Sequence, residues 1–179
     1  TGAGQGIGRA YALALAEAGA DVAVADINER TGRHVADEVV ALGRRSVFVK
    51  TDVTRPEEVE ALVTATVAEL GGLDVAVNNA WAGGRYVTPP SAEEFPLEEW
   101  DFIMNLALRA IFVSCKAEAR AMRQRGRGKI VNMASMSASI ANAAVAYCSA
   151  KAGVVMLTKR LAAEWGKYNI NVNCISPSY

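Results

Sequence analysis

Apolar residues recur along the chain in two alternating kinds of segment. Short runs rich in β-branched residues predict buried strands over residues 21–26, 45–50, 73–79, 129–135 and 169–176. Between these runs, apolar positions at helical spacing predict helices over about residues 7–18, 28–42, 54–70, 97–123 and 145–167. Such alternation is typical of a parallel sheet covered by helices on both faces. The pattern therefore predicts an α/β fold with a doubly wound parallel sheet, in a single domain over residues 1–179.

Two motifs lie where a doubly wound sheet binds its ligand, at the carboxyl ends of the strands. The stretch TGAGQGIGRA places four glycines in the turn that opens the first helix. Glycines let the backbone approach a pyrophosphate, and a helix N-terminus supplies free N–H groups. Asp26 ends the next strand, where its carboxylate could accept hydrogen bonds from ribose hydroxyls and repel a 2′-phosphate. Together they predict an NAD site, although Asp26 alone could be an acid beside a helix capped by Asn28.

A tyrosine and a lysine stand four residues apart in VAYCSAKAGV, within a predicted helix. Tyr147 and Lys151 would therefore share one helix face. An ammonium beside a phenol favours the phenolate and lowers the pKa of the tyrosine from about 10. The pair suits a general acid and base, but alone it is more often an ordinary amphipathic pair on a helix surface.

The composition excludes several classes of function. The 19 basic and 19 acidic residues balance, so we expect no nucleic-acid partner and no binding to a membrane surface. No apolar run is long enough to span a bilayer. The single histidine, His34, argues against a Ser-His-Asp triad, and the cysteines lack the spacing of a metal site. An odd number of unpaired cysteines predicts a reducing compartment, the cytoplasm; they are Cys115, Cys148 and Cys174.

Over nearly its whole length the chain resembles the short-chain dehydrogenase/reductase family. Thr1 and the glycines after it match the family's TGxxxGxG turn, Asn78-Asn79-Ala80 resembles its NNAG motif, and Ser176-Pro177 resembles the start of its PG motif. The resemblance implies a Rossmann-type fold with NAD as cofactor. The residues it implies for cofactor binding are Gly2, Gln5, Gly6, Ile7, Gly8, Asp26, Ile27, Asp52, Val53, Asn79, Ala80, Tyr147, Lys151 and Pro177.

The resemblance also implies a catalytic tetrad of Asn105, Ser135, Tyr147 and Lys151. Tyr147 would take the proton of a substrate hydroxyl while the carbinol hydride passes to the nicotinamide, and Lys151 would lower the pKa of Tyr147 and hold the ribose. Ser135 would donate to the substrate oxygen, with Ser137 as the alternative serine. Asn105 would position a water that links Lys151 to solvent. No metal is required.

The expected reaction interconverts a secondary alcohol and its ketone. A loop over residues 81–95 carries Arg85 and Tyr86, and this polarity hints at a polyol, sugar or hydroxy acid. One alternative is a 3-oxoacyl thioester reductase of the same family, which would more often carry a basic residue where this chain has Gln5. Another is a catalytically silent dinucleotide-binding protein, against which the intact tetrad argues. Trp81 and Ser178 depart from the family, which usually has glycine at both positions.

Assembly and the chain ends give two further expectations. The helices at 97–123 and 145–167 carry more apolar residues than one buried stripe requires, so with the resemblance we expect a homodimer or homotetramer built on them. The chain opens inside the glycine turn and stops before the segment that covers the substrate in the family. We therefore expect a fragment of a longer enzyme, truncated at both ends, with a gap between strands 21–26 and 73–79.

Overall fold

The computed structural model describes residues 1–83 and 89–178, and within them strands and helices alternate as the sequence predicts. The strands are β1 (Val22–Asp26), β2 (Ser46–Lys50), β3 (Val75–Asn78), β4 (Gly128–Met133) and β5 (Ile170–Ile175). The α-helices are α1 (Gly6–Glu17), α2 (Glu29–Ala41), α3 (Pro56–Leu70), α4 (Leu97–Met104), α5 (Ala110–Arg125) and α6 (Val145–Trp165). Apart from the helix predicted over residues 97–123, the predicted strands and helices are confirmed to within a few residues at their ends.

The strands pair in parallel, and they form two separate sheets. One sheet contains β1 and β2, and the other has the order β3, β4, β5. In the larger sheet Ala76 pairs with Ile130, which pairs with Val172. A slot of about 390 Å³ separates the two sheets, lined by residues of β1, β3, α1 and α3. The Rossmann-type α/β fold is confirmed, and so is the predicted gap between β1 and β3.

The main core lies between the larger sheet and the helices α5 and α6. Ile130, Met122 and Val154 are fully buried there. A second cluster joins α1 and α2 to β1 through Ala12, Val24 and Val35. Helices pack against both sheets, and the carboxyl ends of β1, β3, β4 and β5 remain as the edge at which ligands can enter.

The prediction of one continuous helix over residues 97–123 is wrong. A π-helical turn, Asn105–Arg109, separates α4 from α5. Small side chains allow close packing here, since Ala107 is buried against Ala146 and Ala150 of α6. A π turn inserts extra backbone into a helix, so it changes which residues face α6. Asn105 is the first residue of this turn.

Helix starts differ slightly from expectation. Asn28 accepts a hydrogen bond from the Thr31 N–H at 3.2 Å, which confirms it as the cap of α2. The helix predicted from about residue 54 begins slightly later, since Arg55 occupies the N-cap position of α3, and the Thr54 hydroxyl donates to Asp52 Oδ1 at 2.7 Å. The short Asp52 side chain therefore organises the turn that leads into α3.

Candidate active site

A cleft of about 650 Å³ opens at the carboxyl ends of the larger sheet. Its walls come from α1, the segment after β3, α4, the segment after β4, α6 and the segment after β5. The described residues that line it are Ile7, Asn79, Trp81, Gly83, Pro89, Phe95, Glu99, Ile103, Met133, Ala134, Ser135, Met136, Ser137, Asn142, Ala143, Ala144, Tyr147, Lys151, Pro177 and Ser178. Five sites named from the sequence thus meet in one cavity: Ile7, Asn79, Ser135, the Tyr147–Lys151 pair and Pro177.

Tyr147 and Lys151 lie one turn apart on α6, and both face the cleft. Lys151 Nζ donates to the Met133 carbonyl oxygen at 2.6 Å and lies 5.6 Å from the centroid of the Tyr147 ring. The lysine is only 3% exposed, and this burial lowers its pKa to about 8. The ammonium is therefore held beside the phenol ring, with its pKa below the ordinary value for lysine.

Ser135 and Ser137 form a hydrogen-bonded pair directly after β4. Ser135 Oγ accepts the Ser137 N–H at 3.1 Å, and the two hydroxyl oxygens are 3.2 Å apart. Ser137 is buried and donates to Asn142 Oδ1 at 2.7 Å, whereas Ser135 is partly exposed. Of the two serines, Ser135 presents the more accessible hydroxyl to the cleft.

Asn105 does not join this group. Its Oδ1 accepts a hydrogen bond from Arg109 Nη1 at 3.1 Å, and its side chain lies in a second groove with Met104 and Leu108. Ala107 faces α6 instead. Asn105 is not among the described residues that line the cleft, and the role predicted for it stays a prediction.

Close contacts fix the glycine turn before α1. A Cβ on Gly8 would lie 2.1 Å from the Gly2 carbonyl oxygen, so only glycine fits there. Asn79 Nδ2 donates to the Thr1 and Gly2 carbonyl oxygens at 3.1 and 3.3 Å. Gly2, at φ 61°, also leaves no room for a Cβ beside Ala80 Cα, 2.7 Å away. The turn is thus held against the end of β3.

The start of α1 presents backbone donors toward the cleft. Gln5 is the N-cap residue and its side chain makes no capping hydrogen bond within the described chain. Gly6 has a positive φ of 55°, and Ile7, 54% exposed, lines the cleft. The first-turn N–H groups of a helix have no partner within the helix itself. This helix start can accept an anionic group such as a pyrophosphate.

Asp26 closes the turn from the other side. Asp26 Oδ2 accepts the Gly4 N–H at 2.8 Å, and Oδ1 accepts the Asn28 N–H at 2.8 Å. Each carboxylate oxygen keeps further acceptor capacity for a ligand hydroxyl. Its neighbour Ile27 is 63% exposed at the same edge. Asp26 therefore contacts both the glycine turn and the Asn28 cap of α2.

The remaining predicted cofactor residues lie around this edge. Asp52 accepts hydrogen bonds from the Thr54 N–H and hydroxyl. Val53 is buried against Val59 in the core between α3 and α5. The Pro177 carbonyl accepts the Met136 N–H at 3.1 Å, which ties the segment after β5 to the segment after β4.

Three residues that line the cleft were not recognised as functional from the sequence. Glu99 is 2% exposed although it sits in the first turn of α4, where acidic residues usually face solvent. Asn142 accepts from Ser137, and the Trp81 ring packs 5.0 Å from the Tyr147 ring, between centroids. Arg85 and Tyr86, the basis of the substrate hint, lie outside the described residues. No helix in the described part of the chain is long and apolar enough to cross a membrane.

Comparison with known proteins places these features among dehydrogenases. The family model described as short chain dehydrogenase matches residues 1–179. The chain is 38% identical to 2-dehydro-3-deoxy-D-gluconate 5-dehydrogenase of Escherichia coli (strain K12), covering 100% of this chain and 69% of that protein. It is 40% identical to D-threitol dehydrogenase of Mycolicibacterium smegmatis, covering 99% and 67%.

A solved structure matches at the level of the fold. A 7 alpha-hydroxysteroid dehydrogenase, complexed with NADH and 7-oxo glycochenodeoxycholic acid, superposes with a TM-score of 0.92 at 35% identity. The match covers 99% of this chain and 68% of that one.

Proposed function

Because this chain belongs to the short-chain dehydrogenase family, and is an oxidoreductase like its named relatives, we propose that it interconverts a secondary alcohol and its ketone with NAD(H). The observation that carries the proposal is the meeting of Tyr147, Lys151 and Ser135 in one cleft beside the glycine turn. The silent dinucleotide-binding alternative is set aside, since the relatives are named dehydrogenases.

Tyr147 acts as the general acid and base in this proposal. In the oxidation direction its phenolate accepts the proton of the substrate hydroxyl. The Lys151 ammonium, 5.6 Å from the ring, favours that phenolate electrostatically. Ser135 donates a hydrogen bond to the substrate oxygen and keeps it near Tyr147. A bound nicotinamide supplies the hydride acceptor.

The residues around the glycine turn fit a nicotinamide dinucleotide. Gly2 and Gly8 have no space for a Cβ, which keeps the turn tight, and Gln5, Gly6 and Ile7 would lie along the pyrophosphate. The adenosine would lie toward Ile27, Asp52 and Val53, and the nicotinamide ribose toward Asn79, Ala80, Tyr147, Lys151 and Pro177. Asp26 supports NAD rather than NADP, because a carboxylate repels a 2′-phosphate.

The proposed substrate is hydroxyl-rich, such as a polyol, a sugar or a hydroxy acid. The sugar-acid and threitol dehydrogenases among the relatives support this class. Hydrogen-bonding side chains in the cleft, including Asn142, Ser137 and Glu99, could each contact a substrate hydroxyl.

The proposal extends to assembly and compartment. We propose a homodimer or homotetramer through the helices at residues 97–123 and 145–167, without a nucleic-acid or membrane partner. Free thiols at Cys115, Cys148 and Cys174 support a reducing compartment such as the cytoplasm.

The test is turnover of NAD with a panel of secondary alcohols by the wild-type protein and by Tyr147→Phe. Loss of the phenolic proton carrier should lower kcat by roughly 10²-fold or more, while NADH binding persists. Tyr168→Phe, which removes a hydroxyl far from the cleft, is the matched control and should keep full activity. Near-full activity of Tyr147→Phe would show that the assigned acid and base is wrong.

A further inference from the structure

Trp81 touches both members of the proposed acid and base pair. Its ring centroid lies 5.0 Å from that of Tyr147, with the planes tilted by 54°. Lys151 Nζ lies 5.8 Å from the Trp81 ring centroid. The indole is 36% exposed at the wall of the cleft, directly after Ala80. The lysine head therefore lies near two aromatic rings at once.

These distances fall within the ranges of two known attractive contacts. Tilted aromatic pairs with centroids about 4.5–7 Å apart are favourable because positive ring edges meet negative ring faces. A cation within about 6 Å of a ring centroid is attracted by the negative face, most strongly for tryptophan. The first contact restrains the phenol, and the second favours the charged form of Lys151 against the cost of its burial.

Few other charges reach this pair. Among the described residues that line the cleft, the titratable groups are Glu99 from α4 and Tyr147 and Lys151 from α6. The segments after β3, β4 and β5 contribute uncharged side chains, apart from the residues outside the described ranges. The Met133 carbonyl accepts one Lys151 N–H at 2.6 Å. The indole face is therefore a substantial part of what surrounds the ammonium.

We propose that Trp81 is a positioning residue for the reaction: its ring orients the Tyr147 phenol and stabilises the Lys151 ammonium, and so sets the pH range of activity. This inference rests on the proposed function of the same cleft. It also gives a physical role to the bulky residue that departs from the glycine usual at this position in the family.

The first experiment compares the pH profile of kcat/KM for alcohol oxidation in Trp81→Phe and Trp81→Leu. Both variants keep an apolar group at the wall, but only phenylalanine keeps an aromatic face. The alkaline limb, where Lys151 loses its proton, should stay in place in Trp81→Phe. In Trp81→Leu it should move to lower pH by roughly half a unit to one unit, because the charged form loses its aromatic partner.

The second experiment needs no activity. Trp100→Phe and Trp165→Phe leave Trp81 as the sole tryptophan of the three in the chain, and Tyr147→Phe removes the phenolate. Emission of this variant, titrated from about pH 6 to pH 11, should change with a midpoint near pH 8, the pKa of Lys151. Adding Lys151→Met should abolish that transition.

The two measurements separate the inference from the function beneath it. A fluorescence transition that depends on Lys151 supports the contact between Trp81 and Lys151, even if no alcohol is oxidised and the proposed reaction is wrong. A flat titration, or one unchanged by Lys151→Met, overturns the inference. An unshifted alkaline limb in Trp81→Leu overturns it as well, and a fall in rate alone would mean that Trp81 only packs.

Discussion

At the residue scale, Asp26 has structural contacts in the glycine turn and, in the proposed function, selects the coenzyme. Its two oxygens already hold the Gly4 and Asn28 N–H groups, so the carboxylate is fixed at the edge of the glycine turn. Because this carboxylate is already held in place, it can repel a 2′-phosphate without a rearrangement of the protein. An amide in its place would remove the charge and keep one acceptor oxygen.

We therefore expect Asp26→Asn to change coenzyme preference. The ratio of kcat/KM for NADP to that for NAD should rise by about tenfold or more, which corresponds to about 1.4 kcal/mol. Steady-state kinetics with both coenzymes measure this, and Asp37→Asn on the exposed face of α2 is the control. A wild-type enzyme that prefers NADP would contradict the role of Asp26.

At the element scale, the π turn and α6 together shape a second surface. Ala107 packs closely against Ala146 and Ala150, whereas some large side chains of α5 and α6 are exposed. Phe112 and Met156 are 46% and 63% exposed. Phe112 lines a groove of about 620 Å³, whose other lining residues are Asp101, Met104, Asn105, Leu108, Arg109, Gly153 and Leu157. Opposite charges and an apolar floor on one face suit pairing with a second copy about a twofold axis.

The assembly prediction follows from that face. Light scattering should find a dimer or tetramer, and Phe112→Glu should shift it toward monomer because a carboxylate would be buried at the interface. Val40→Glu, the same change at an exposed position on α2, should leave the assembly intact. A wild-type protein that is monomeric at micromolar concentration would refute this interface.

At the scale of the whole molecule, a slot of about 390 Å³ lies between the two sheets. The Thr1 nitrogen donates to the Val77 carbonyl of β3 at 2.9 Å, and the Ala3 N–H donates to the Ala25 carbonyl of β1 at 3.1 Å. Residues 1–3 thus bridge both sheets as the end of a central strand would. We propose that an apolar strand joined before Thr1 fills the slot in the working enzyme.

Stability measurements test this proposal. Unpaired strand edges and an open apolar cavity both disfavour folding. Residues 1–179 expressed alone should therefore bind a hydrophobic dye, unfold without a sharp transition and lack activity. The same chain extended by an apolar strand before Thr1 should unfold cooperatively. A cooperative transition together with NAD turnover by residues 1–179 alone would reject the proposal.

Features that depend only on residues close together in the sequence could be predicted from it. The β-branched runs predicted the strands, because burial on both faces demands apolar side chains throughout. Tyr147 and Lys151 could be paired because helical geometry places residues four apart on one face. The Gly8 position followed from its motif, and the structure supplies the reason: there is no space for a Cβ.

Features that depend on how helices and loops pack could not be read in this way. The π turn that begins at Asn105 was not predicted, because neighbouring residues carry no clear signal for such a turn. The burial of Glu99 and the contact of Trp81 with Tyr147 join segments far apart in the chain. Contacts between side chains so far apart in the sequence form only when the whole core packs together. The local pattern of residues therefore determines which helices and strands form and which motifs carry reactive side chains. Long-range packing determines which of those side chains line the same cleft.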